Sequence, residues 1–168
     1  LFSRDGIGTL FTDSGYESLS QASIDDVGGI LEIISPLEEA GVLVKRSREL
    51  LEAEIDRFWV IQRDGMVIRC AALYCYPDAD TSQHAAEIAC VATHPDYRGG
   101  ERAERLLKHI EKQAKNSGIS TLFVLTTQTA HWFQEQGFTP SSLETLPSGK
   151  LSLYNYQRNA KVFSKAVE

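Results

Sequence analysis

Glu87 to Leu107, EIACVATHPDYRGGERAERLL, joins a strand, a loop and a helix in 21 residues, and this join constrains the fold more than any other stretch. The run from Glu87 to Thr93 is apolar apart from one acid and one threonine. His94-Pro95-Asp96 then breaks it, because proline has no N–H and drives the preceding residue out of the helical region. A strand is therefore predicted to end near Thr93. From Ala103 onward, Leu106, Leu107, Ile110 and Ala114 recur at intervals of three and four, with Gly118 suited to the position after a helix end. Between strand and helix lie Arg98, Gly99, Gly100 and Arg102. Free N–H groups at a helix start, the helix dipole and nearby basic residues together favour an anion such as a phosphate or pyrophosphate. A Gly-Gly pair can equally be a plain connection, and basic residues are usually just solvated. The loop alone does not decide between these.

The remaining sequence narrows the choice. A chain of 168 residues suits one domain and buries roughly 70% of its unfolded surface. A net charge of −6 argues against a nucleic-acid or anionic-membrane partner, while leaving room for a local basic pocket. Cys70, Cys75 and Cys90 show neither paired spacing nor an accompanying histidine pattern, so no metal is expected and all three are read as buried free thiols. No apolar run reaches the roughly 18 residues of a membrane span. The cytoplasm is the expected compartment.

Taken in order, residues 1–18 read as a linker or arm and residues 19–168 as one domain. A short edge strand is predicted at 19–22, and then a helix capped by Ser23 with Asp26 three residues on. Its apolar stripe is Val27, Ile30, Leu31 and Ile34; Gly28 and Gly29 weaken it, and Pro36 is predicted to end it. A second helix starts near Ser47, with Leu51, Ile55 and Phe58 facing the core. Lys45, Arg46 and Arg48 cluster at its start, where cations are mildly unfavourable unless an anionic partner is present. Two antiparallel strands, 59–63 and 66–76, flank Asp64-Gly65, a strong hairpin signal. After a polar loop come the Glu87 strand, the helix over 103–117 and a strand over Thr121–Thr126, the last parallel to the Glu87 strand. Thr129 is placed to cap a short helix stopped by Gly137. Residues 139–149 read as loop and 151–156 as a final strand.

This order of elements resembles the GCN5-related N-acetyltransferase fold, an α/β architecture with a mixed, mostly antiparallel sheet flanked by helices. The loop resembles that family's acetyl-CoA signature, Q/R-x-x-G-x-G/A, through Arg98 and Ala103. Glu101 stands where glycine is usual, and an acid facing a pyrophosphate would repel it, so Glu101 is expected to point outward with Gly100 giving the close backbone approach. Longer stretches, PLEEAGVLVKRSRELLEAEI, CAALY, EIACVATHPDYR, LFVLTTQTAHWFQEQGF and LYNYQRNAKV, are similar to the C-terminal acetyltransferase domains of bacterial N-acetylglutamate synthases. The resemblance implies acetyl transfer from acetyl-CoA, as cosubstrate, to the α-amine of L-glutamate, the first step of arginine biosynthesis. It also implies an amino-acid-kinase-like domain ahead of this one. Oligomeric state, a homo-oligomer included, stays open.

What the resemblance implies for individual residues can be weighed chemically. An α-amine titrates near 8, so attack at neutral pH needs a base. Glu87 matches the family's glutamate, although a strand-end ion pair is the plainer reading. Cys90, Val91 and Thr93 would carry the pantetheine arm as an added strand would, with the Cys90 N–H polarising the thioester carbonyl. A nucleophilic Cys90 would need an activating base, and no such signature is present. Arg98, Gly99, Gly100, Arg102 and Ala103 would seat the pyrophosphate. Thr126 resembles the hydroxyl that assists the departing thiolate, with a capping role as the alternative and His131 as a neighbouring rival. Trp132 and Phe133 are read as packing, with a share in walling the cofactor channel. Arg46 and Arg158 match the arginines that bind the two carboxylates of glutamate. Ala160 stands where the family commonly has serine.

Overall fold

A computed structural model describes the chain over residues 17–43, 45–77, 84–98, 101–126, 129–141 and 161–167. The strands among them form one sheet in the order β1-β2-β3-β4-β5-β7-β6. In chain order these are β1 (Glu17–Gln21), β2 (Phe58–Arg63), β3 (Met66–Pro77), β4 (His84–Thr93), β5 (Thr121–Thr126), β6 (Thr139–Ser141) and β7 (Lys161–Ala166). All neighbours are antiparallel except β4 and β5, which run parallel as their helical connection requires. At the β2–β3 turn Asp64 has φ 52° and Gly65 φ 80°, the two positive values a tight hairpin needs to match strand twist.

Among the described residues four α-helices cover the sheet: α1 (Val27–Glu39), α2 (Arg48–Ala53), α3 (Arg102–Asn116) and α4 (Ala130–Glu135). Alternation along the strands divides the core between two faces. Val27, Ile30 and Ile34 of α1 and Leu51 of α2 pack on Phe58, Val60, Cys70, Ala72 and Cys90. On the other face Leu106, Leu107 and Ile110 of α3 and Phe133 of α4 pack on Ile61, Ile68, Ala86, Ile88 and Leu122. The capping pair Ser23 and Asp26 forms as expected, with the Ser23 N–H donating to Asp26 Oδ2 at 2.8 Å, although it caps a single 3-10 turn that leads into α1. Gly29 has a packing reason: a Cβ there would lie 2.8 Å from Val67 Cγ2.

Several expectations are corrected. Pro36 does not end α1, which runs on to Glu39. In the last turn the missing N–H strands only the carbonyl of Glu32, an exposed residue, and Ser35 Oγ donates to the Leu31 carbonyl at 2.7 Å. Residues 139–141 are a strand rather than loop, because Pro140 lies on the sheet edge where its lack of a donor costs nothing. The strand at 161–166 had no counterpart in the sequence reading, and 151–156 lies outside the described residues. β1 begins at Glu17, inside the segment read as an arm. Cys75 is exposed; Cys70 and Cys90 are buried, and all three are free thiols. No helix among the described residues is long and apolar enough to cross a membrane.

Glu17 ties the first strand to α3. Its carboxylate accepts from Arg102 Nη2 at 2.6 Å and Nε at 3.0 Å, and from Arg105 at 3.3 Å. The hydrogen bond from Arg102 is the main reason its pKa is lowered, against the opposing pull of burial. A depressed carboxylate contributes stability that is present above its unfolded pKa of about 4.3 and is lost as pH falls through its folded value. Glu17→Gln should therefore cost about 1–2 kcal/mol at pH 7 and less below pH 4. Urea unfolding at the two pH values checks this; an equal cost at both would show that charge is not what Glu17 contributes.

Candidate active site

The ladder between β4 and β5 covers Ala85–Thr121, Ala86–Leu122 and Glu87–Phe123, and stops there. Beyond Glu87 the strands form opposite walls of a cleft of about 650 Å³, with residues 88–93 on one side and 124–126 on the other. A bulge re-aims β4 at this point. Ala72 pairs with Ala89 and Cys70 with Ala92, so Cys90 and Val91 together oppose Ala71. Cys90 takes φ 56°, rare for a residue with a side chain. A bulge bends and twists its strand and takes N–H and C=O groups out of the ladder. From Ile88 onward the side of β4 that would face β5 is thus open to an extended ligand.

The cleft reaches both faces of the sheet. Leu37 and Leu43 line it on the α1 side, while Leu106 and Leu107 of α3 and Trp132 and Phe133 of α4 line it on the other. Phe133 stacks edge-on with Phe138 in the core at 5.4 Å, and both Trp132 and Phe133 line the cleft. Val91, Thr93, Arg98 and Ala103 also line it, placing four of the expected cofactor-binding residues in one cavity with Cys90. Gly99 and Gly100 lie outside the described residues. Glu101 is exposed, with no side-chain bond to the start of α3, as its outward orientation requires. Arg102 differs from expectation, since its guanidinium is held by Glu17 and lies 5.6 Å over the Tyr97 ring. What it offers an anion is its N–H in the first turn of α3.

At the inner end, Glu87 is 5% exposed and pairs across the strands with Tyr74. Arg46 comes to the same place from the loop before α2. Its N–H donates to Glu38 Oε2 at 2.7 Å, and its guanidinium lies 5.9 Å over the Tyr74 ring. Burial pulls the Arg46 pKa down, but Cys90, Tyr74 and Glu87 outweigh it and leave the group raised. Tyr74 is half-buried and its pKa is raised to about 12, burial being the largest cause, so its hydroxyl stays protonated and donates to Glu54 Oε1 at 2.9 Å. Arg57, which pairs with Glu54 at 2.7 Å, lies 5.4 Å from the same ring. The sequence reading missed this tyrosine, which supports Arg46. Lys45 and Arg48 do not join it: Lys45 is exposed, and Arg48 pairs with Glu52 along α2.

Cys70 donates to the Cys90 carbonyl at 3.4 Å. Its own pKa is held well up, first by the hydrogen bond it shares with Cys90 and then by burial. The Cys90 thiol is lowered by Cys70, and by Arg46 against the pull of burial. It sits on the α1 face, packed with Val60, Cys70 and Ala72. Thr126 is nearly buried at the end of β5. Its Oγ1 lies 2.8 Å from Thr129 Oγ1 and accepts from the Thr129 N–H at 3.0 Å. Thr129 thus turns its hydroxyl to Thr126 instead of capping α4, and both line the cleft. His131 is 89% exposed, with Nε2 3.9 Å from Glu135 Oε1, and is not among the residues that line the cleft. Arg158 and Ala160 lie outside the described residues. No cluster among the described residues could hold a metal ion.

The parallel pair thus parts beside a bulge, opposite the start of the long helix α3. The chain belongs to the acetyltransferase (GNAT) domain family, matched over residues 54–140. It is similar to the amino-acid acetyltransferases of Pseudomonas fluorescens Pf-5 and Azotobacter vinelandii, each 58% identical over 99% of this chain and 38% of the relative. Among solved structures it is similar to the N-acetylglutamate synthase of Neisseria gonorrhoeae complexed with coenzyme A and N-acetyl-glutamate. The two share 40% identity at a TM-score of 0.84 over 99% of this chain and 39% of that one. The chain thus spans less than two fifths of the length of these relatives.

Proposed function

We propose that this domain transfers the acetyl group of acetyl-CoA to the α-amine of L-glutamate, releasing N-acetylglutamate and CoA as the first step of arginine biosynthesis in the cytoplasm. The observation that carries the reading is the convergence of Glu87, Cys90 and Arg46 beside the point where β4 leaves β5. Acetyl-CoA, when bound, supplies an activated thioester. The residues fit it: basic groups and helix N–H donors at one end of the cleft, an open strand edge along its length and apolar walls from α3 and α4.

Each residue then has a defined task. Glu87 takes a proton from the substrate ammonium, directly or through water, leaving an amine that attacks without a covalent enzyme species. The Cys90 N–H, at the bulge in β4, holds the oxygen on which negative charge develops. Thr126, coupled to Thr129, offers a hydroxyl on the far wall for the departing sulfur. Arg46 binds one substrate carboxylate with a planar, permanently charged fork, and Arg158 is assigned the other. Arg98 and the N-terminal N–H groups of α3 take the phosphates, with Gly99 and Gly100 assigned to the same seat. The proposal includes an amino-acid-kinase-like domain alongside this one, supported by the greater length of the relatives, and leaves assembly into a homo-oligomer open.

The test is thiol release from acetyl-CoA with each amino acid in turn. Glutamate should exceed glutamine and other monocarboxylates by at least about tenfold in kcat/KM, because these leave a buried cation unpaired. Folded protein that binds CoA yet releases no thiol with glutamate would mark a cofactor-binding module; equal rates with other amines would move the reading to a different acceptor.

A further inference from the structure

Arg69 lies on β3, opposite Thr93, where β4 runs out into the loop that leads to α3. It is 7% exposed and lines the cleft, and its Nε has no hydrogen-bond partner among the described residues. The alternation of β3 turns it, like Ala71, toward the α3 side, with apolar Ile68, Leu106 and Leu107 in the core there. A cation so placed is costly, because it has left water and pairs with no carboxylate in a salt bridge among the described residues. Burial and the like charge of Arg102 both lower its pKa, against a small opposing effect of Cys70. Glu17, the acid that reaches the start of α3, is committed to Arg102 and Arg105. The helix start and the buried guanidinium thus confront the same cavity from two sides, both electropositive.

Resting on the reading of the cleft as an acetyl-CoA site, we infer that Arg69 is a phosphate-binding residue, a buried guanidinium on β3 that meets the cofactor's diphosphate from beneath, opposite the N-terminus of α3. Guanidinium nitrogens in a dry setting suit a phosphate oxygen, and a charge-assisted bond there gains strength from the low local dielectric. A consequence follows for the unliganded domain. The residue that helps to hold the ligand burdens the free fold, so ligand binding and stability trade against each other at this position.

Arg69→Met fills the same volume without charge, and Arg69→Lys keeps charge without the fork. Isothermal titration with CoA, with pantetheine and with inorganic pyrophosphate, beside thermal melting of the free proteins, separates the contributions. The Met variant should bind CoA at least about tenfold more weakly and lose its response to pyrophosphate, while its affinity for pantetheine stays unchanged. Its free form should melt about 2–4 °C higher. The Lys variant should fold like the parent and bind CoA with intermediate affinity. CoA affinity within twofold of the parent in either variant overturns the inference, as does an equal weakening of CoA and pantetheine accompanied by a lower melting temperature. A parent chain indifferent to CoA defeats the acetyl-CoA reading itself, a result distinct from a parent and a Met variant that bind CoA alike.

Discussion

Replacing Glu87 by glutamine should reduce kcat about 100-fold or more at pH 7 and leave CoA affinity within twofold. The substitution conserves shape at a position 5% exposed, so the sheet has no reason to shift. It removes the one acidic group that β4 presents between Ala86 and Ala92. General-base assistance is worth about 10²- to 10⁴-fold, and near neutrality almost all of the substrate amine is protonated. The sign of the pH dependence follows. The ammonium of a free amino acid, beside its own carboxylate, titrates well above the peptide α-amino value of about 8, so it loses its proton unaided only toward the alkaline end of the range, and the deficit of the variant should narrow there. Rates measured from pH 6 to 9.5 test this; a deficit that stays constant across the range, or is absent at pH 7, removes Glu87 from the role of base.

Arg46→Lys should lower kcat/KM for glutamate about 100-fold, through KM more than kcat, with little change in CoA affinity. Lysine keeps the charge but not the planar fork, whose central carbon lies 5.9 Å from the centre of the Tyr74 ring. The loss should be specific to the substrate carboxylate. Discrimination between glutamate and glutamine should therefore fall with it, a change that a merely structural arginine would not produce. Steady-state kinetics on both amino acids read the two effects together. Unchanged discrimination would place the carboxylate elsewhere.

The parts of the fold legible in the sequence are those fixed by local chemistry. Asp64-Gly65 sets its hairpin through two positive φ values, Pro95 ends β4, and the three-four spacing of Leu106, Leu107 and Ile110 defines the buried face of α3. Thr121–Thr126 carries enough apolar residues to read as a strand without context. KVFSKA does not. With a lysine second from its end and another at its start, only Val162 and Phe163 are well buried, and its place between β5 and β6 comes from tertiary pairing. The site divides along the same line. Glu87, Cys90, Thr93 and Arg98 sit in one continuous motif, and Arg46 and Thr126 were reached through resemblance; the cleft and its inner end bring them together. Tyr74 was invisible because a tyrosine in CAALY reads as ordinary strand, and only the antiparallel register places it against Glu87. Arg69 did leave a trace, as the one charge inside the apolar run from Met66 to Leu73, but which face it took depended on a pleat phase that the sheet supplies.

The parting of β4 from β5 also bears on the mechanics of the sheet. Three residue pairs join the half made of β1 to β4 to the half made of β5, β7 and β6. Within each half the strands pair along most of their length, apart from the bulges in β2–β3 and β3–β4, so the halves resemble two leaves on a short hinge pin, and the gap between them is as long as the rest of β4. An elongated guest with amide groups along its length would lace the leaves together by bonding to the strand edge the bulge exposes. On the proposed acetyl-CoA reading, the working state is then one in which the sheet is completed by a molecule that the reaction consumes, and each turnover undoes a seam in the fold.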